Sequence, residues 1–345
     1  MILYLIVFHL PLLLIYFEIK KKLIFKDFIN LYFLFLIIFV GFRYEVGGDF
    51  YSSSMSMLPL LNLKDIFSTL TILNSLLLYI SKISGLDIFL YNIIAAILFF
   101  LCFYKFIEKF EYKAHNFLIA FPVIFIILAM GFTKQSIAFS FILIGLLYYK
   151  NNNYLNTIIY FIIATLFHMS SLIIFIIFIY KIKIILRKYL LIIIPFFIFA
   201  FYLYYEVFVV YYNIWMVYDA RPTSVGALFR CLINIPPIII YLFIRKKILE
   251  KNLNYKFLDI IIIIQIIFIF LALLTNLSGL VDRMNILLSF THIIIYSLAF
   301  EIIKKYYLEI FIFIYFKYLT ILIVWLFLSD NSFAWLPYKN ILFIP

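Results

Sequence analysis

The sequence predicts an all-α, polytopic transmembrane helix bundle, and three observations carry that prediction. Of the 345 residues, 68% are hydrophobic and only 13% charged, whereas soluble domains average roughly half apolar and about a quarter charged. Apolar runs approaching 20 residues recur from end to end, and a helix needs about that length to cross ~30 Å of hydrocarbon. With no water in the bilayer to satisfy backbone groups, helices are the economical way across. The chain reads as one transmembrane domain over residues 1–345, without an internal repeat or a soluble domain.

Spans are expected at residues 2–17, 27–42, 87–104, 117–131, 134–149, 154–168, 169–181, 189–205, 224–244, 257–275, 284–303 and 308–328, twelve in all. The segment Met1 to Phe17 lacks a basic n-region and a small-residue cleavage site, so it reads as a span and not as a signal peptide. The 27 apolar residues from Tyr154 to Tyr180 could form one tilted helix or two short ones. As one span they would put Lys181, Lys183, Arg187 and Lys188 outside, against the cytoplasmic bias of Lys and Arg. A break at His168-Met169-Ser170-Ser171 returns those charges to the inside and leaves His168 at the outer rim. With both termini outside, most of the 28 basic residues then fall on inner segments. The net charge of +12 thus has a topological explanation; no basic, aromatic-interleaved segment suggests a nucleic-acid partner.

One outer connection is long, residues 43–86. Within it, Leu63 to Ile83 mixes Asp65, Ser68, Thr69, Asn74, Ser75, Ser81 and Lys82 with leucines and isoleucines, which reads as one amphipathic helix lying along the interface. Cys102 and Cys231 sit singly in apolar runs and read as buried hydrophobes. Four scattered histidines give no metal-ligand spacing, and no phosphate-cradling glycine loop opens a cytoplasmic helix, so neither metal nor other cofactor is expected.

Four groups of residues exceed what a greasy bundle needs. Gly41 to Tyr51 ends the second span and holds Arg43, Glu45, Gly47, Gly48, Asp49 and Tyr51. An arginine fork suits phosphate oxygens, and glycines let backbone approach a ligand; a snorkelling arginine paired with Asp49 is the bland alternative. Gly131 to Ser136 is a tight turn that puts Lys134 near a helix N-terminus, a combination that attracts anions. His168, followed by Ser170 and Ser171, interrupts an apolar run and could exchange a proton, although a lone histidine there is more often a hydrogen-bonded core residue. Asp282-Arg283 opens a late span, with Arg230 inside the ninth span and Arg221 in the loop before it. An intramembrane arginine calls for an anionic ligand or a partner, here Asp219 or Asp282. All four groups share the outer side, where Arg43, Lys134, Arg230 and Arg283 would suit a polyanion.

With these motifs quoted, the sequence resembles the EpsG family of Wzy-like polysaccharide polymerases. The resemblance runs through Arg43-x-x-x-Gly47-x-Asp49-Phe50, Lys134-Gln135-Ser136-Ile137-Ala138, Phe167-His168-Met169-Ser170-Ser171-Leu172, Asp282-Arg283 and Pro337-Tyr338-Lys339. It departs at Lys134, where the family usually carries arginine, which keeps the charge and loses the bidentate fork. The resemblance implies a GT-C-like glycosyltransferase of the bacterial inner membrane, active at the periplasmic face and independent of nucleotide sugars. It would use undecaprenyl pyrophosphate-linked oligosaccharides as donor and acceptor in O-antigen, capsule or exopolysaccharide synthesis, with a chain-length regulator and a flippase as partners. His168, Asp49 or Glu45 would take the acceptor proton. Arg43, Lys134, Arg230 and Arg283, with Tyr51 and Ser171, would hold pyrophosphate and substrate. An O-antigen ligase, a flippase or transporter of lipid-linked oligosaccharide, and a membrane acyltransferase are the alternatives. The early position of the long loop, the missing repeat and the outer place of His168 argue against each in turn.

Overall fold

In the computed structural model, residues 1–57, 60, 62–67, 69–181, 224, 226–251, 253, 255–274 and 277–343 are described, with the isolated positions 195, 198, 202, 205 and 209. The expected span at 189–205 lies outside them apart from four of those positions, and Arg221 and Asp219 lie outside them altogether. Among the described residues the chain is helical, and its one β-bridge joins Arg43 to Asn340.

Helices α1 (Ile2–Ile19) and α2 (Phe25–Gly41) come first. The long connection holds three short helices, α3 (Phe50–Met57), α4 (Leu63–Phe67) and α5 (Ile72–Ile83). Then follow α6 (Asp87–Ile107), α7 (Lys113–Ala120), which runs directly into a π-helix (Phe121–Met130), α8 (Thr133–Lys150) and α9 (Tyr154–Phe167). A 3-10 helix (Met169–Lys181) follows, and later helices cover Ala227–Leu232, Ile235–Glu250, Phe257–Leu274, Ser278–Leu287, Phe290–Ile302 and Tyr307–Ile323, the last continuing as a π-turn, Val324–Leu328.

Among the described residues, six helices are long and apolar enough to cross a membrane: Ile2–Ile19, Asp87–Ile107, Lys113–Met130, Ala227–Glu250, Phe257–Leu274 and Lys304–Leu328. A seventh span forms if Ser278–Leu287 and Phe290–Ile302, bent by 43°, cross together. The chain is a multi-pass membrane protein, and the described residues support six or seven of the twelve expected spans. The shortfall has physical causes. Helix α2 has only 17 residues and carries Lys26 and Asp27 in its first turn; α8 begins with the polar run Thr133-Lys134-Gln135-Ser136.

The break in the 27-residue run falls at His168, whose extended backbone (φ −155°, ψ 120°) ends α9 before the 3-10 helix starts. At ~2.0 Å rise per residue, 13 residues of 3-10 helix reach about 26 Å, well beyond an α-helix of that length. The single amphipathic helix expected from Leu63 to Ile83 is instead two, broken before Ile72. Its orientation is inverted relative to a water-facing helix. Asn74, Ser75 and Ser81 are buried, while Leu76, Ile80 and Ile83 are exposed. The polar side finds partners inside: Tyr91 donates to Asn74 at 2.8 Å, and Lys82 Nζ donates to the carbonyls of Met57 and Leu60 at 3.1 and 3.2 Å.

At one end of the bundle Glu18 accepts from the backbone N–H groups of Lys113 and Ala114, at the start of α7, and lies 3.2 Å from His115. Lys304 pairs with Glu111 at 3.2 Å nearby. The described members of all four groups singled out from the sequence gather elsewhere, around Asp49, His168 and Arg283.

Candidate functional site

Three segments distant in sequence meet at Gly47. Its φ of +100° is open to glycine, and a Cβ there would lie 1.9 Å from the Met130 carbonyl oxygen. Gly47 N–H donates to Ala334 O at 2.7 Å, and Gly131 lies so close to the Trp335 ring that a Cβ would come within 2.6 Å of it. Trp335 is fixed in turn: its indole Nε1 donates to Ile126 O at 3.1 Å, and Tyr4 Oη donates to its carbonyl at 2.9 Å. A π-helix closes i to i+5 bonds, so its carbonyls depart from the α-helical ladder, and Ile126 lies in the middle of one.

Residues 334–341 form a strap across the end of α2. Tyr44 N–H donates to Lys339 O, Ile341 N–H to Phe42 O, and Tyr338 Oη to Phe39 O, while Lys339 Nζ pairs with Glu45 at 2.6 Å. That contact holds Glu45 below the usual carboxylate range. The Tyr338 ring stacks on Phe39 with centroids 4.6 Å apart.

Between the strap, the Gly47 turn and the helix Ser278–Leu287 lies a cavity of about 590 Å³. Glu45, Asp49 and Tyr51 line one wall, Arg230, Asp282 and Arg283 another, and Trp325, Trp335, Phe132 and Phe333 give it aromatic surface. Lys339 adds a third basic residue to the lining.

Arg43 turns away from it. The side chain is 1% exposed, and every guanidinium nitrogen donates to the protein: Nε to Val46 O, Nη1 to Val40 O, and Nη2 to both Asn92 Oδ1 and Thr133 Oγ1 at 2.8 Å. Its geometry makes it a tie between the Gly47 turn, α6 and the start of α8. Arg230 lines the cavity with its charge already matched. Its Nε and Nη2 donate to the two oxygens of Asp282 at 2.5 and 2.7 Å, and Ser224 Oγ donates to the same carboxylate. Of the two partners expected for this arginine, Asp282 is the one the structure pairs with it.

Asp49 accepts from the backbone N–H of Thr133, the first residue of α8, so a carboxylate sits at a helix N-terminus. Burial pushes Asp49 above the usual carboxylate range, while Lys134, Arg43 and Arg283 pull in the other direction. His168 is half-buried. Burial, then Arg283, then Lys134 bring it down to about 3, so it is neutral. Its Nδ1 accepts from Ser170 N–H at 3.3 Å, which leaves the proton on Nε2, 3.5 Å from the Gln135 amide nitrogen. Gln135 Oε1 is buried without a partner among the described residues, and a half-turn of the amide would let it accept from His168 Nε2–H. Both ring nitrogens are then engaged by the protein. Ser171 is fully buried, its Oγ without a partner among the described residues, and neither it, Lys134 nor His168 lines the cavity.

Sequence reasoning missed Ser224, Trp325 and Trp335. Two of the chain's three tryptophans end up in this wall, and their rarity was the available signal. Among the described residues no group of three or more metal-ligating side chains occurs.

No curated protein and no solved structure matches the chain. The model of the EpsG family matches residues 26–340, an interval that begins in α2, contains the Gly47 turn and closes on the strap. The chain therefore belongs to the EpsG family and is a polysaccharide polymerase-like membrane protein.

Proposed function

We propose that the protein is a Wzy-type polymerase that moves an oligosaccharide chain from undecaprenyl pyrophosphate to a hydroxyl of a second lipid-linked repeat, at the periplasmic face of a bacterial inner membrane. The observation that carries this reading is the cavity in which Arg283 and Lys339 stand beside the carboxylates of Asp49 and Glu45, with aromatic walls. Cations in a concave site suit a pyrophosphate leaving group, and aromatic walls suit ligand recognition.

In this mechanism the acceptor hydroxyl oxygen attacks the anomeric carbon of the donor, and its proton passes to Asp49. The bond from that carbon to the pyrophosphate oxygen breaks, and the pyrophosphate leaves with the electron pair. Arg283 at the cavity and Lys134 behind Asp49 stabilise the charge that develops. Asp49 is preferred over Glu45 as the base because burial raises its pKa while Lys339 lowers that of Glu45, and over His168 because the His168 Nδ1 lone pair is held by Ser170 N–H. Arg43 acts by holding the turn that carries Asp49.

The test is surface polysaccharide from cells carrying Arg283→Ala or Asp49→Asn, resolved on gels with the protein level checked in the membrane. Single-repeat products at normal protein level are expected from both. A full-length ladder from both variants would remove the site from the mechanism.

A further inference from the structure

Two of the spans are interrupted, and the interruptions lie side by side. In Ala227–Glu250 one helix stops after Leu232 and the next starts at Ile235, with Pro236 and Pro237 in its first turn. Asn234 N–H there bonds Cys231 O at 3.1 Å, one residue away from its α-helical acceptor, Arg230 O. The other interruption is the 43° bend between Ser278–Leu287 and Phe290–Ile302. Irregular backbone at membrane depth needs its freed groups satisfied inside the protein. The Arg230 carbonyl is satisfied across the gap, where Asn285 Nδ2 donates to it at 3.1 Å. A chain of buried side chains runs on from that bond. Asn234 Nδ2 donates to Asn285 Oδ1 at 2.8 Å, His292 Nε2 lies 2.8 Å from Asn234 Oδ1, and Tyr318 Oη lies 2.9 Å from His292 Nδ1. A carbonyl can only accept, so one atom dictates every proton in the chain. Both amides are fixed in orientation, His292 carries its proton on Nε2, and Tyr318 donates to Nδ1.

We propose that Asn234, Asn285 and His292 are positioning residues that set the place of Arg283 in the cavity. The inference rests on the polymerase reading and adds to it residues that touch no substrate, since none of the three lines the cavity. Asn285 follows Asp282 by three residues, on the same face of the helix. Ser278–Leu287 therefore holds Arg230 twice, by its guanidinium through Asp282 and by its carbonyl through Asn285. The short helices Ala227–Leu232 and Ser278–Leu287 are thereby one block, which carries Arg230, Asp282 and Arg283 into the cavity wall. Both spans are broken where they leave this block, so neither helical ladder alone fixes its tilt. The side-chain bonds supply what the ladders lack, tying the block to Phe290–Ile302 through His292. A misplacement of about 1 Å caused far from the chemistry can slow a reaction ~100-fold, so these bonds bear on rate as well as on folding.

The test compares two replacements of one histidine. In His292→Gln the longer amide can present an N–H where Nε2–H stood, and the bond from Tyr318 is lost. In His292→Asn the shorter amide can meet Tyr318 and stops short of Asn234. Each variant gives up one buried hydrogen bond, so both are expected to melt lower than the parent in detergent, and by similar amounts. Their surface polysaccharide is expected to differ at equal protein level in the membrane, with a ladder close to the parent's from His292→Gln and chains several-fold shorter from His292→Asn. Ladders that match each other, or that follow the melting temperatures, overturn the inference. Tyr318→Phe and Asn285→Leu make the same comparison if the histidine variants do not accumulate. The first cuts the chain beyond His292 and should keep long polymer; the second releases the Arg230 carbonyl and should shorten it, and equal ladders from this pair likewise overturn the inference. A lost ladder from Arg283→Ala beside equal ladders within these pairs defeats the positioning role alone, whereas a normal ladder from Arg283→Ala defeats the polymerase reading beneath it.

Discussion

Arg43 Nη2 bridges Asn92 on α6 and Thr133 at the head of α8, with both acceptors 2.8 Å away. A residue whose chemistry advertises phosphate binding thus joins three parts of its own chain.

Loss of that bridge should appear as instability before it appears as lost substrate binding. Hydrogen bonds to a charged group contribute about 1.5–3 kcal/mol each, and a lysine at this position cannot reproduce the fork. Arg43→Lys is expected to lower the melting temperature in detergent, and Thr133→Val with Asn92→Leu to reproduce much of the fall. If the double variant melts with the parent while Arg43→Lys alone abolishes polymer, Arg43 is a ligand after all.

The Gly47 turn offers a comparison between strain and collision. Gly47 and Gly85 both have positive φ, +100° and +75°, but a Cβ on Gly85 meets nothing within 4 Å whereas one on Gly47 meets the Met130 carbonyl. Gly85→Ala should therefore lose roughly 1–2 kcal/mol from left-handed backbone alone. Gly47→Ala should fail to accumulate as folded protein. Size-exclusion profiles of the two variants, expressed side by side, decide it; equal profiles would mean that the turn relaxes freely.

Asp49 should show opposite effects on stability and on activity. Its folded pKa is raised, so it stabilises the fold when protonated, and that contribution is lost as pH rises from the ordinary aspartate value of about 3.9 through the folded value. Asp49→Asn is accordingly expected to melt higher than the parent near neutral pH and to converge with it in acid. The same variant should be inactive. If melting temperatures coincide at every pH, the carboxylate is less buried than its surroundings indicate.

Lys134 opposes that shift. Lys134→Met should move the acidic limb of the pH–activity profile to higher pH, because Asp49 then gains protons more readily. A profile displaced toward acid, or unchanged, would show that Lys134 does not act on Asp49.

How much of this was legible beforehand depended on the kind of physics involved. The break at His168 could be read from the charge bias of flanking lysines and arginines, a one-dimensional quantity, and the helix does end there. The gathering of the 43–51, 131–136, 168 and 282–283 groups at one end followed from the same bookkeeping. Their division of labour did not. Arg43 and Arg283 look alike in sequence, and only packing turns one inward and the other to the cavity. Twelve spans were expected because apolar runs were counted one by one; among the described residues six or seven are long and apolar enough to cross. The amphipathic pattern of 63–83 was correct in period but gave no warning that its polar side faces protein. Trp325 and Trp335 were passed over since burial of an indole N–H is a tertiary fact.

The strap adds a matter of timing. Ala334, Trp335 and Lys339 furnish one wall of the cavity and are held by Gly47, Ile126 and Glu45, residues that leave the ribosome long before them. A nascent chain with every preceding helix inserted still has no completed chamber. The cavity is consequently closed only once residues 334–339 fold back over it, so a chain interrupted after Leu328 would be an inserted bundle that lacks this wall.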